Sequence, residues 1–505
     1  MLKNMNVPFH ALSIGILFLL GCLGCSGNSD NTTRTTITKD TVSTMPPRIC
    51  DEPLPWTTQT TSILVGDGTQ ASCTEDALRK AVAGGGYIRF HCGVDDLTIS
   101  IPKEIEVNQE TIMDGEGHVT LDGGGITRIF QVNSTLSIRN LRFQNGAAKG
   151  KDENGGAVSG GWRSKLEVIG CIFENNSAMG SGGALSVGTG SELTVVGSRF
   201  LYNKSGYGGA IYSLWSPLHI VNSEFTENST LNNGGGGAIG TDGALDPAYR
   251  AEETVGGVVE ICGSVFQRNQ ASGAGGSAFI WVYPPDKIVI DRCTIQDNVL
   301  SKVDGGIAMG GGMRLSNGEI TIKASSFLSN IAGTHGGALS LDCEPNCTIT
   351  NSTFFNNQVL DGYGGAIFGN KLRVNNVTFA NNLASGHGGA LFGGEDWILQ
   401  NSIFVDNKAG NPWGQAYSCA STGTGNNVLQ WVGEFKGAGS DSCIPGAFVA
   451  DPLIASPADN GGPTPTMLLS ESSPALQKGT NCEPLDQRGN VRDTLACDLG
   501  AVELP

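Results

Sequence analysis

The chain has 505 residues, 48 of them acidic and 31 basic, for a formal charge of −17. So acidic a protein, with no basic patch, cannot replace the counterions of a phosphate backbone; nucleic acid is excluded as a partner, and cations, basic surfaces and neutral glycans remain. Glycine supplies 74 residues, a composition that signals either disorder or a repeat, so periodicity has to be tested first.

In chain order, Lys3 precedes an apolar run from Ala11 to Leu20. The run is too short to cross a bilayer and reads as a signal peptide over residues 1–21. Leu19-Leu20-Gly21-Cys22 resembles the lipobox of bacterial lipoproteins, which implies cleavage before Cys22 and acylation of that residue. Cys25 is the alternative acceptor, and ordinary cleavage with both cysteines left for disulfides is the other reading. Residues 22–48 are rich in Ser, Thr, Asn and Asp and carry few large apolar side chains, as a flexible tether does. A lipid would then hold a monomer on the outer membrane, at the cell surface or the periplasmic face.

Residues 49–100 read as an N-terminal cap and first coil. Thr74 to Ala83 has the pattern of an amphipathic helix, with Thr74 as N-cap and acids in the first turn. Cys73 and Cys92 flank it. Fourteen cysteines in an exported chain suggest disulfides, with local pairs expected at Cys73/Cys92, Cys343/Cys347, Cys419/Cys443 and Cys482/Cys497. The absence of CxxC spacing and the scatter of the six His predict no zinc site. No cofactor is expected, and Ca²⁺ has no dedicated ligand set in the sequence.

Residues 101–440 carry the repeat. Phe143, Phe173, Phe200, Phe225, Phe266, Ile295, Phe327, Phe354, Phe379 and Phe404 recur at intervals of 25 to 32 residues, except for one of 41 that holds an insertion between Gly240 and Thr254. With this position as zero, −5 is always aliphatic and −7 nearly always, the period of a strand with one buried face. Position −3 is mostly Asn or Gly, types that accept left-handed backbone at a corner. Position −2 is mostly Ser. Position +3 is Asn176, Asn203, Asn228, Asn269, Asn298, Asn330, Asn357, Asn382 and Asn407; stacked in successive coils, these amides can bond one another and the turn backbone. Gly-Gly-Ala-aliphatic follows, as at Gly182 to Leu185. One coil thus has three inward runs and three corners, and only stacking buries its apolar face. The fold class is all-β: a right-handed parallel β-helix of about twelve coils, roughly 55–60 Å long at the strand spacing of a sheet. Residues 441–505, rich in Pro and Gly, read as a loop-rich C-terminal cap over the last coils.

The Phe-x-x-Asn and Gly-Gly-Ala-Ile/Leu repeats resemble those of chlamydial-type polymorphic outer membrane proteins, adhesins on a β-helical passenger. The run Asp451-Pro-Leu, Asp459 to Thr466, Ser473-Pro-Ala475, Asp486-Gln-Arg-Gly489 and Cys497 to Glu503 resembles the choice-of-anchor Q β-helix proteins of bacteria, which share a body and differ in how they attach to the cell. These resemblances imply fold and surface location, and a binding or adhesive role. The chain departs from the polymorphic proteins in having no series of membrane β-strands at its end.

Chemistry is sparser. Pectate-lyase-like β-helices set several carboxylates, often with Ca²⁺, on one strand face, and a polysaccharide lyase or hydrolase is the rival reading. The outward positions −6 and −1 stack no acids in adjacent coils; Arg199 beside Glu224 reads as a solvated ion pair, and Asp486 with Arg488 as a structural turn. Asp114, Glu116, Asp122, Asp242 and Asp246 lie beside glycines, as turn residues do. Trp162 and Trp215 fall five residues after the Ala of their Gly-Gly-Ala, and Trp281 and Tyr283 occupy nearly the same place in another coil. These four are the candidate glycan-binding residues, expected to line one edge of the rod. For the anchor, Cys22→Ala is expected to release the protein from membranes and abolish metabolic palmitate labelling. Labelling that survives in this variant and disappears only in Cys25→Ala moves the acylation site to Cys25.

Overall fold

The computed structural model describes residues 48–52, 62–246, 248, 256–302, 306–394, 396–410, 418–432, 442–493 and 495–504. Cys22, the signal peptide, nearly all of the tether and part of the insertion lie outside the described residues. The described chain winds into a parallel β-solenoid of about thirteen turns with almost no helix, one turn more than the repeat count alone implied.

Each turn contributes to three long strand stacks. The first sheet runs through Lys165–Ile169, Glu192–Val196 and Leu218–Val221, the second through Ile172–Glu174, Arg199–Leu201 and Glu224–Thr226, and the third through Leu185–Val187, Ile211–Leu214 and Ile239–Asp242. A fourth, ten-stranded stack of short pieces, such as Ser229–Thr230 and Gln270–Ala271, follows the asparagine corner. The sequence reading had three runs and missed this one, because strands of about two residues leave no alternation to read.

The corners follow from backbone conformation. All ten residues at −3 have positive φ, from Asn140 to Asn401 and including Arg292 and Ala324. So do all ten at +2, among them Tyr202, Glu227, Arg268 and Ser329. These side chains sit in a region that costs an L-residue roughly 1–2 kcal/mol, so the stacking on either side must impose it. Between the two corners the position-zero rings form a column: Phe143, Phe173, Phe200, Phe225 and Phe266 stack at 4.7–4.9 Å, and after Ile295 the column resumes from Phe327 to Phe404.

The asparagines at +3 are buried. Asn357 Nδ2 donates to Phe327 O at 2.9 Å and to Asn382 Oδ1 at 2.9 Å, and its own Oδ1 accepts from the backbone N–H and the amide of Asn330, both at 3.0 Å. The same set repeats from Asn176 to Asn382, and Gly146 caps the series by donating to Asn176 Oδ1. A serine ladder runs beside it: the backbone N–H groups of Cys171, Ser198 and Ser223 donate to the Oγ of Ser198, Ser223 and Ser264. The second glycine of each pair answers to a closer constraint. A Cβ on Gly337 would lie 2.1 Å from the Gly365 carbonyl oxygen of the next turn, and Gly183, Gly209 and Gly237 face the same obstruction.

The ends are closed by short additions. The α-helix Glu75–Gly84 is capped by the Thr74 side chain accepting from Ala77 N, buries Leu78, Ala81 and Val82 over the first turn, and is stapled by Cys73–Cys92. Cys343–Cys347, Cys419–Cys443 and Cys482–Cys497 are also bonded, while Cys171 and Cys293 are free and buried. A fifth bridge, Cys50–Cys262, was not expected; it spans 212 residues and ties residues 48–52 to the middle of the rod. Residue 48 was expected in the tether and 49–52 in the N-terminal cap; they lie instead against Asn222 and Cys262. Asn222 holds them, its Oδ1 accepting from Ile49 N and Cys50 N and its Nδ2 donating to Cys50 O. The C-terminal segment lies along the second sheet: the Gln487 amide bonds Ser326, Thr353 and Thr464 at 2.7–2.8 Å, and Asn351 and Asn401 at the −3 corner donate to Leu485 O and Thr480 O.

Removing one rung strands buried groups on both neighbouring turns. Asn357→Ala is expected to lower stability by at least about 1–3 kcal/mol, whereas Asn356→Gly, an exposed position at φ +57°, is expected to cost less than about 1 kcal/mol. Equal denaturant midpoints for the two variants would contradict the role given to the amide ladder.

Candidate binding site

Outward positions of the third sheet decide where the rod can bind. Register aligns Ser186, Tyr212, Gly240, Phe279, Arg314, Ser340, Phe368 and Phe392 in one column on the outer side of the sheet. Two aromatic groups form on it. In the first, Tyr207, Tyr212, Phe279, Trp281, Tyr283 and Asp242 line a cavity of about 270 Å³. The rings meet steeply: Tyr207 and Tyr212 at 88° with centroids 5.7 Å apart, Phe279 and Trp281 at 84° and 6.1 Å, Trp281 and Tyr283 at 63° and 6.5 Å. Tyr283 Oη donates to Asp242 Oδ1 at 2.9 Å. Burial raises the Tyr207 hydroxyl and pushes that of Tyr212 up to about 12, with the Asp242 charge adding to both, so both stay protonated donors at neutral pH.

The second group lies further along the same sheet and is flat. Tyr363 stacks on Phe392 at 4.5 Å and 19°, and Phe368 lies 5.8 Å from Phe392 at 10°; His335 and His387 flank Tyr363. Between the groups the Arg314 guanidinium sits 5.2 Å above the Phe279 ring. Burial lowers its pKa, partly offset by the charge of Asp342, and among the described residues it enters no ion pair.

Of the four residues singled out from sequence, Trp281 and Tyr283 line the cavity. Trp215 stacks on Tyr283 at 4.7 Å and 10°, behind the cavity and not in its lining. Trp162 stands apart, 69% exposed, with the Arg163 guanidinium 5.0 Å above its ring. Tyr207, Tyr212, Phe279 and the flat group were missed. Their signal is present in the sequence: Tyr207 and Tyr363 immediately precede a glycine pair, and Tyr212, Phe279, Phe368 and Phe392 lie three positions after the second glycine, the outward place of the third sheet.

Other concavities carry less. A cleft of about 750 Å³ between the C-terminal segment and the rod has most of its charges paired within itself: Arg292 and Lys323 on Asp291 at 2.8 and 3.3 Å, Arg488 on Asp486 at 2.9 Å. Asp486 also accepts from the backbone N–H groups of Arg488 and Asn490, a turn rather than an acid–base pair. Asp114 and Asp122 likewise accept from the N–H groups two residues on, and Arg199 pairs with Glu224 at 2.8 Å. Among the described residues, the one grouping of possible metal ligands is Cys50, Cys262 and Asp291; its sulfurs form a disulfide and offer no thiolate.

No helix of the described residues is long and apolar enough to cross a membrane, which leaves membrane β-barrels unaddressed. Residues 253–428 match a family model described as the right handed beta helix region, and residues 170–188 match the Chlamydia polymorphic membrane protein repeat. No curated protein matches the chain. Stack, register and repeat together make the chain a right-handed parallel β-helix with polymorphic-membrane-protein-like repeats.

Proposed function

We propose that this β-helix is the ligand-binding module of a surface-exposed lipoprotein, that its ligand is a glycan, and that the ligand lies along the third sheet. The observation that supports this is the aromatic column itself. A rod whose core is already filled by stacked phenylalanines has no packing need for a second set of rings on its outside, and contiguous aromatic surface that solvent still reaches marks interaction sites. The near-parallel rings of Tyr363, Phe368 and Phe392 offer the flat apolar face on which sugar C–H groups stack while hydroxyls keep their water, and the hydroxyls of Tyr207 and Tyr212, protonated at neutral pH, add polar partners. The match to a repeat of polymorphic membrane proteins supports a surface location, and the lipobox at Cys22 supplies the anchor. The resemblance of the C-terminal segment to choice-of-anchor Q proteins fits the same picture.

A glycan array probed with the purified mature chain tests the reading. Tyr363→Ala and Trp281→Ala are each expected to weaken the selected glycan about tenfold with a smaller shift of the unfolding midpoint than a core aromatic, since both rings lie outside the packed core; Trp162→Ala is expected to leave binding unchanged. No bound glycan, or a loss of stability of about 3 kcal/mol as for buried aromatics, would defeat the proposal. Unsaturated sugar products absorbing in the ultraviolet would replace it with a lyase.

A further inference from the structure

The two aromatic groups on the third sheet differ in shape, and shape separates what they can hold. Parallel rings make a platform. Rings inclined at 59–88° to their neighbours, as Tyr207, Tyr212, Phe279 and Trp281 are, make the walls of a box, and a flat sugar ring cannot lie against more than one of them. A box of ring faces suits a compact, roughly spherical group. The faces carry the negative side of the aromatic quadrupole, so the group they favour is a cation with its charge spread over an apolar surface.

A carboxylate completes the box. Asp242 lies on the third sheet in register with Trp281 and within the cavity lining. One oxygen is held by Tyr283 Oη, and among the described residues the carboxylate enters no ion pair. Arg314 is not in the lining; its guanidinium lies over the Phe279 ring. Among the described residues the cavity therefore presents one carboxylate without an ion pair among aromatic faces, on a chain whose formal charge is already −17. A primary ammonium would have to give up tightly held water to enter, with few acceptors to replace it. A quaternary ammonium has no N–H to satisfy and is weakly hydrated, so it gains most from the rings.

We propose that this cavity binds a quaternary ammonium group of the choline type, carried by the glycan whose sugars lie on the Tyr363–Phe392 platform. The inference rests on the reading of the third sheet as a binding face and adds the chemical group that the box selects. Tyr207, Tyr212, Phe279 and Trp281 supply the faces, Asp242 the counter-charge, and Tyr283 fixes the carboxylate.

The test titrates the mature chain with choline and with 3,3-dimethyl-1-butanol, its uncharged carbon isostere, following Trp fluorescence and heat. Choline is expected to bind at least about tenfold more tightly than the isostere. Asp242→Asn, which keeps the acceptor for Tyr283, is expected to weaken choline about tenfold or more, and Trp281→Leu, which keeps apolar bulk without the π face, to do likewise, while Trp162→Ala, outside the site, leaves choline binding unchanged. Equal affinity for the isostere, or choline binding unaltered by Asp242→Asn, overturns the assignment. Glycans free of choline that need Tyr363 and Phe392 but ignore Asp242 would overturn it too, and would leave the glycan reading standing. A choline-substituted glycan conjugate and phosphatidylcholine vesicles separate the sources: binding to the conjugate alone is expected, and binding to the vesicles alone overturns the glycan-borne assignment.

Discussion

Stacking parallel coils about 4.8 Å apart sets the same corner of every turn against the same corner of the next, so a corner that fits once must fit every time. At that spacing the backbone leaves no room for a Cβ at the second glycine of the pairs from Gly156 to Gly365: the carbonyl oxygen of the next turn would be 1.9–2.3 Å away. The two left-handed corners leave carbonyl and N–H groups inside the rod, where no strand partner reaches them. The asparagine at +3 satisfies these groups. Its amide donates to the position-zero carbonyl of the preceding turn and to the next amide, and its oxygen accepts a backbone N–H and an amide hydrogen. Because four bonds meet at one side chain, neither Asp nor Gln reproduces the pattern, Asp for want of donors and Gln for its extra methylene.

This constraint decided what the sequence could reveal. Positions answerable to the backbone repeat were readable without any structure: the aliphatic −5, the Asn or Gly at −3, the aromatic at zero, the glycine pair. Positions where the backbone imposes a conformation on whatever residue is there were not. The +2 corner is left-handed in Tyr202, Arg268 and Ser329 as firmly as in Asn175, and residue type gives no sign of it. The same holds for long-range closure. Cys343 and Cys347 are four residues apart and suggest each other, but Cys50 and Cys262 are joined only because Asn222 brings residues 48–52 to the corner beside Cys262.

The site was less legible because it belongs to register, not to sequence. Tyr212, Asp242 and Trp281 come from three successive turns separated by an insertion, and they adjoin only once Tyr212 is aligned with Gly240 and Phe279, and Asp242 with Trp281. Trp162 and Trp215 look equivalent by spacing from their glycine pairs. Yet Trp162 belongs to a turn whose outward neighbours are Ser159 and Ser186, with no rings to join, while Trp215 is drawn onto Tyr283 two turns later. Spacing identifies the edge of the rod; which turns carry rings identifies the place along it.

Elimination among the faces reaches the same sheet. The second sheet is covered in its later turns by the C-terminal segment, where Ser326 and Thr353 point outward and are buried beneath Gln487. The first sheet spends its outward charges on itself, Lys165 on Glu167 and Glu192, His219 on Glu260, Lys287 on Glu319, a solvated ladder with little left to offer a ligand. The N-terminal segment enters at the corner between these two sheets, pinned by Cys50 to Cys262 and by Asn222. In a coil with three long sides, the corner between the first and second sheets is the one opposite the third. Both straps therefore occupy the far side of the rod, and among the described residues the third sheet, with its aromatic column and the carboxylate of Asp242, is the face that neither strap covers.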